Sequence, residues 1–594
     1  MQPQYYTFEQ MVADKLYKIP NYQRAYSWIT EQRKDLFEDI RKIADVEDES
    51  RHHFMATIVV LKTREVRRIG TKNFEVMDVV DGQQRLTTLV MLLKSISIHL
   101  KEVLNNPSSD EGMVSQRESI QEELAEIEKT LVKRDIDQSI LLHTNHDNAQ
   151  IFQSYLRRSA MPEKNQLQTM ADRNFANGFN DCAEFVKKWV DEDKREIFSL
   201  LQIVRNRLSF ILYQIEDDGS VYRVFETLNS RGLEVDWLDK CKSVLMGIAF
   251  EMFPEDLRKE KVDELHRVWS NIYREIGVVN IPGHEILRFA ATLKYSEEVN
   301  KLLGATESVE FFRGYCLKNG MGSVLELSEW IRVITEKLKW LYTNRRLGSV
   351  TKIVHARLLA VSLMLTEGLN SEDRKYLLDQ WERVTFRIFG MCGKDARTKV
   401  GEYVSLSHYV ASTYSTPTEN GSEQTRKDLL ERLIKLGKGY SIEKAVEALE
   451  EDDCYNQWGE ELRYFMYRYE ESLAGNSLND VVWNTIWSET SYNTIEHVLP
   501  QNFRVEDLEA GRSKEDHEIL VNRLGNLGIL PPGINSKAKH KSFPDKKNVY
   551  EENGVAGIKL MKEVMDKEKW DEDAIDEREK RLLAWARNIW CDLP

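Results

Sequence analysis

A carboxylate and a histidine stand side by side at Glu496 and His497, within Thr494-Ile-Glu-His-Val-Leu-Pro-Gln501, and two asparagines follow at Asn526 and Asn535. An imidazole is the side chain that takes a proton from water near neutral pH, its free pKa being ~6.5. A carboxylate and an amide oxygen are hard donors that suit Mg2+ or another divalent cation, and such a cation neutralises charge on a phosphodiester under attack. A second amide is available to orient the histidine. The combination predicts metal-dependent phosphodiester hydrolysis. Directly downstream, Asn535 to Tyr550 carries Lys537, Lys539, Lys541, Lys546 and Lys547 against Asp545 alone, a basic stretch suited to a nucleic-acid backbone.

A second constellation lies near the N-terminus, at Asp81-Gly-Gln-Gln-Arg85. The spacing predicts a strand ending at Asp81, a turn at Gly82 and a helix whose first turn carries Arg85. A helix N-terminus offers unpaired N–H groups and partial positive charge. Gly82 permits close backbone approach, Arg85 can fork onto phosphate oxygens, and Asp78 or Asp81 suits a magnesium ion. This predicts a nucleoside triphosphate site, the alternative being a plain turn whose arginine pairs with Asp78. Tyr17 to Trp28 supplies aromatic rings with Gln23 and Arg24 between them, either as a wall of that pocket or as a cluster packed on a core. Val224 to Gly232 reads as a short helix with a glycine C-cap. Its Glu226, Asn229 and Arg231 either close over a bound nucleotide or pair among themselves.

The positioning elements are mostly helical. Phe54–Leu61 and Phe74–Val80 are β-branched runs that predict a hairpin, with Arg64, Arg67, Arg68 and Lys72 in the loop between them. Leu86, Leu89, Val90, Leu93, Ile96 and Leu100 recur at helical spacing after the Asp-Gly turn. Phe175–Val190 predicts a helix and Leu208–Ile215 a strand. From Met252 to about Ser412 the pattern is almost wholly helical, with helices over 327–343, 355–369 and 372–390, and Trp330, Trp340 and Trp381 expected in their core. Ser415 to Glu423 reads as a linker.

Length and composition bound the rest. The chain has 594 residues, too many for one core, and a net charge of −15, unlike a protein that only coats DNA. No apolar run reaches the roughly 20 residues of a membrane span. The first residues lack a secretory pattern and the six cysteines are widely spaced, which predicts a cytoplasmic protein with reduced thiols.

Three N-terminal segments occur in one order: Ile19-Pro-Asn-Tyr-Gln-Arg-Ala-Tyr-Ser-Trp28, Asp81-Gly-Gln-Gln-Arg-Leu-Thr-Thr-Leu89 and Phe225-Glu-Thr-Leu-Asn-Ser-Arg-Gly232. With Ile495 to Gln501, Leu524-Gly-Asn-Leu527 and Asn535, they resemble the GmrSD family of modification-dependent (type IV) restriction systems, as a single-chain fusion of its two halves. The resemblance implies an α+β, predominantly helical chain. Residues 1–245 would be a ParB-like nucleotide-binding domain with a small sheet, 246–414 a helical spacer, and 425–594 an HNH nuclease with a ββα-metal fold. It implies His497 as general base, Asn526 holding the histidine strand, Glu496 and Asn535 on the metal, and Lys539 and Lys546 at DNA phosphates. It implies Arg24, Asp81, Gly82, Gln83, Gln84 and Arg85 around the nucleotide. Two departures stand out: Ala56 where the family usually has glycine, and Val235-Asp-Trp-Leu-Asp239 after the third motif. The expected activity is nucleotide-regulated cleavage of modified phage DNA, such as DNA with glucosylated hydroxymethylcytosine, by one copy or two. The alternatives are a phosphorothioate-sensing nickase and a nucleotide-switched DNA-binding regulator with an inactive nuclease half.

Overall fold

The computed structural model describes residues 4–20, 23–48, 51–105, 113–144, 149–193, 195–216, 236–279, 281–295, 297–344, 346–347, 350, 352–414, 421–447, 449, 454–475, 478, 480–487, 490–502 and 513–593. It divides into two compact units, Met1–Ala291 with Leu303–Lys339, and Thr292–Leu302 with Trp340–Pro594. The helices of the middle of the sequence are shared between the two. The chain is α+β and predominantly helical, and no helix among the described residues is long and apolar enough to cross a membrane.

The first unit is built on a mixed six-stranded sheet. Its strands are β1 (Gln4–Thr7), β2 (Lys15–Lys18), β3 (His53–Ile69), β4 (Lys72–Asp81), β5 (Leu142–His143) and β6 (Leu208–Ile215), in the order β1-β6-β3-β4-β2-β5. β3 and β4 form the expected antiparallel hairpin, but the charged segment between the two apolar runs is strand, not loop. Arg64, Arg67 and Arg68 stand on β3, where charged groups on the exposed part of a hairpin cost little and pair: Lys62 Nζ lies 2.8 Å from Glu75 Oε1, and Arg67 Nε 3.0 Å from Glu65 Oε1. The reversal falls at Gly70, whose φ of +62° suits a residue without a Cβ.

Helix α1 (Thr30–Ala44) follows the aromatic segment, and α2 (Gln83–Asn105) leaves the end of β4. Leu86, Leu89, Val90, Leu93, Ile96 and Leu100 of α2 are all buried, as their spacing predicts, and pack with α3 (Met170–Asp191) into the core of this unit. α4 (Trp237–Met252) brings Asp239 back toward the start of α2.

The second unit is helical around a two-stranded ribbon, β7 (Ile495–His497) and β8 (Leu527–Ile529). Of its middle helices, α5 (Val354–Leu365) stops four residues earlier than the pattern predicts, and α6 (Ser371–Thr385) runs into a π-type turn at Phe386–Met391. Trp381 is fully buried there, whereas Trp340, expected in the core, is 44% exposed. Most of the linker segment lies outside the described residues, and a helix starts at Gly421. Around the ribbon stand α7 (Lys514–Asn522), α8 (Pro532–Ala538), α9 (Phe543–Glu552) and α10 (Glu572–Ile589).

Candidate nuclease centre and nucleotide pocket

β7 has three residues, so what surrounds it must hold it. His497 pairs with Leu527 across the ribbon, and Val498 N–H continues the ladder to Asn526 O at 3.1 Å. Asn526 is the clamp. Its Oδ1 accepts Leu499 N–H at 2.7 Å and Trp570 Nε1–H at 2.9 Å, while Nδ2 donates to Leu499 O at 3.0 Å and Val521 O at 2.9 Å. The side chain is fully buried with its donors and acceptors used, the condition under which a buried amide fixes geometry instead of costing stability. Asn526 thus fastens the residues that follow His497.

The turn before β8 is pressed onto α10. A Cβ at Gly525 would lie 2.2 Å from Ile575 O, so only glycine fits. Arg578 of α10 donates to Gly525 O at 2.8 Å and Leu527 O at 2.6 Å. Gly528, opposite Glu496, lies against Met561, whose side chain would have to move to admit a Cβ there.

Asn535, on α8, spends both amide hydrogens on backbone carbonyls, Asn493 O and Ile495 O, each at 3.0 Å. Its carbonyl oxygen is what it has left to offer a cation. Lys537, Lys539 and Lys541 are exposed on and after the same helix.

Lys546 is not at the surface where a DNA phosphate would meet it. Residues 546 and 550 are four apart on α9, so both side chains fall on one face. Lys546 Nζ donates to Glu496 Oε1 at 2.6 Å and Tyr550 OH to the same oxygen at 2.7 Å. The ammonium also donates to His497 O. Lys546 is 0% and Glu496 1% exposed. Burial raises the Glu496 pKa and lowers that of Lys546, each charge opposing the effect on the other. The expected metal ligand is therefore already paired with a buried cation through one oxygen.

His497 is buried too. Its pKa is pushed down to about 3, by burial first and then by the Lys546 charge, well below the free value expected from sequence. The ring is therefore neutral at neutral pH, and burial makes it a weaker base than a free imidazole. Its Nε2 is buried without a hydrogen-bond partner, and the Asn522 side chain close to the ring works against the downward shift. The Tyr455 ring, from the one-turn helix Cys454–Gln457, packs edge-on against it at 4.3 Å between centroids.

Among the described residues no group of three or more His, Cys, Asp and Glu side chains is placed to hold a metal ion. Of the two expected ligands, Asn535 makes its side-chain hydrogen bonds through its amide nitrogen and leaves a hard carbonyl oxygen, whereas Glu496 is buried and engaged through Oε1 by Lys546 and Tyr550.

In the first unit, the end of β4, the start of α2 and the segment 23–28 enclose a cavity of about 370 Å3, lined in part by Arg24, Trp28, Asp81, Gly82, Gln83 and Arg85. Gly82 turns the chain with φ +87°, and a Cβ there would lie 2.9 Å from Ile58 Cγ1. The glycine is thus required by the turn itself, before any ligand is considered. Gln84 is committed to the fold: its Oε1 accepts Ser27 N–H at 2.9 Å and its Nε2 donates to Ala25 O at 3.2 Å, pinning the aromatic segment to α2. Gln23 Nε2 donates to Val80 O at 3.0 Å. Tyr26 turns inward, its OH 2.8 Å from Thr88 Oγ1 and its ring stacked on Phe175, whereas Trp28 faces the cavity with the Arg85 guanidinium 6.0 Å from its centroid. Both readings of the segment are thus realised, by different rings.

Gln83 Oε1 is buried without a partner. Arg24 Nε lies 3.6 Å from Asp239 Oδ2, and burial raises the pKa of Asp81, helped by the Asp239 charge. Asp78 is paired on β4 with Leu61 and Lys18 rather than lining the cavity. Glu226, Asn229 and Arg231 lie outside the described residues.

Sequence reading missed Asp239, Tyr455 and Tyr550. The spacing of Lys546 and Tyr550 was a usable signal, while Asp239 and Tyr455 reach their sites only through the tertiary fold.

The comparisons with known proteins meet the geometry here. The two sites belong to the two halves of a restriction endonuclease: the N-terminal domain model of GmrSD restriction endonuclease matches residues 8–246, and the C-terminal domain model matches residues 441–585. The chain belongs to the GmrSD family, of type IV restriction endonucleases. No curated protein matches it.

Proposed function

We propose that this chain is a metal-dependent endonuclease of the HNH type whose cutting of modified foreign DNA is governed by a bound nucleoside triphosphate. The observation that supports it most is the arrangement around His497: a neutral imidazole with an unpartnered Nε2, on a strand held by Asn526, beside an Asn535 whose carbonyl oxygen remains for a cation. His497 takes the proton from the attacking water. Asn526 and the Lys546–Glu496–Tyr550 group fix the backbone on either side of the ring. Lys539, exposed just after α8, meets the DNA backbone. A divalent cation held by Asn535 and Glu496 would neutralise the phosphodiester and its leaving oxygen.

In the other unit, the N–H groups that open α2, with Arg24, Gln83 and Arg85, would hold the triphosphate, and Asp81 and Asp239 would offer carboxylates to its cation. The nucleotide regulates cutting because it favours one functional state of the chain over another. Arg85→Ala is expected to change the nucleotide dependence of cleavage; unchanged cleavage with an unchanged nucleotide response would end that part of the reading.

One feature favours the regulator with an inactive nuclease half, namely that Tyr455 covers His497 and Lys546 neutralises Glu496. The same experiment separates the readings. Unmodified, glucosylated and phosphorothioated DNA are incubated with the protein and Mg2+, with and without each nucleoside triphosphate. Cutting restricted to glucosylated DNA is the expected result. Cutting restricted to phosphorothioated DNA would transfer the reading to a phosphorothioate-sensing nickase, and DNA binding without any cutting would transfer it to the regulator.

A further inference from the structure

Beyond the catalytic groups, a row of aromatic rings leads from solvent to His497. Tyr492 is 72% exposed. Its ring meets the Tyr455 ring edge-on, 5.9 Å between centroids at 89°, and Tyr455 meets the imidazole at 4.3 Å and 73°. A single exposed tyrosine needs no explanation. This one is fixed: it stands on the one-turn helix Ser491–Thr494, whose Ser491 and Thr494 are buried and whose Asn493 carbonyl accepts from Asn535.

We propose that Tyr492 contacts the DNA, its ring stacking on a nucleobase next to the phosphate presented to His497, with Tyr455 as the ring behind it. The inference rests on the nuclease reading. The charge around the ring fits that occupant, because Lys537, Lys539 and Lys541 are exposed on and after the helix that Asn535 ties to Asn493. An uncharged aromatic face has nothing to offer a phosphate, but a base unstacked from the duplex at the cutting site presents a π-face to it, so the contact positions the strand without reading its sequence.

The test uses the full chain carrying His497→Ala, so that DNA is bound and not consumed, with duplexes bearing 2-aminopurine at successive positions around the nick site mapped with wild type. Tyr492→Ala is expected to weaken binding about 5- to 150-fold, the usual effect of losing one base–aromatic stack, and to abolish the quenching of one 2-aminopurine position. Tyr492→Phe keeps both, since the face and not the hydroxyl makes the contact. With His497 restored, Tyr492→Ala raises KM more than it lowers kcat. Equal binding and quenching in the alanine variant, or equal losses in alanine and phenylalanine variants, would overturn the proposal while leaving the nuclease reading intact. Failure of the wild-type protein to bind or cut any DNA would instead remove both.

Discussion

Lys546→Met removes the buried ammonium and keeps most of the side-chain volume, which leaves Glu496 with the Tyr550 hydroxyl alone. A carboxylate buried without a countercharge takes up a proton. Against an ordinary value of 4.5, holding that proton at pH 7 costs about 3.4 kcal/mol, at ~1.36 kcal/mol per pH unit. At pH 5 the same step costs only about 0.7 kcal/mol. The folded state then binds a proton that the unfolded state lacks, so this variant loses stability as pH rises. Glu496→Gln has the opposite slope. It strands the ammonium, whose ordinary value is 10.5, and shedding that proton costs up to about 4.8 kcal/mol at pH 7, less as pH rises. The double variant strands neither charge and is expected at wild-type stability or above it.

The assay is thermal unfolding followed by tryptophan fluorescence, since Trp570 packs on Phe543 of the helix that carries Lys546. In a unit of 266 residues each kcal/mol moves Tm by about 2–4 °C, so Lys546→Met should lose roughly 7–14 °C at pH 7 and roughly 1–3 °C at pH 5. A loss of the same size at both pH values would refute the reasoning, because it would mean that packing and not charge holds the pair. Burial works against both charges here, so the pair adds little to stability. What it holds is the His497 carbonyl and the Glu496 carboxylate.

Other expectations follow from the same centre. Asn526→Asp loses the two N–H donors to Leu499 O and Val521 O and buries a charge; urea unfolding should show a loss of about 3 kcal/mol or more, with cleavage abolished. Gly525→Ala forces a Cβ against the Ile575 carbonyl, and a lower urea midpoint should report it, because a backbone atom cannot step aside as a side chain can. Chelation with EDTA should abolish cutting and added Mg2+ restore it, as followed on agarose gels.

Much of the fold is legible in the sequence where a pattern is local. The apolar stripe of α2, the hairpin strands and β6 follow from periodicities of 3.6 and 2, and the Asp-Gly turn marks the start of α2. The extent of the hairpin is not legible, since a run of arginines reads as loop until cross-strand partners such as Glu75 are known. At the sites, residue type and order indicate which side chains are present but not what each has already bonded. Gln84 and Lys546 read as ligand contacts and turn out to be committed to the protein, one pinning a loop and the other neutralising a carboxylate. Tyr455 comes from a helix some forty residues before His497, and no spacing rule connects the two.

The central claim is that His497 is the group that activates water. Its most direct test is single-turnover nicking of a DNA that the wild-type protein cuts, with Mg2+ and nucleotide, comparing wild type with His497→Ala and measuring DNA binding by anisotropy in parallel. The account predicts a rate lower by about 10²–10⁴-fold with binding retained, the usual effect of removing a general base. Nicking by His497→Ala at the wild-type rate would contradict it.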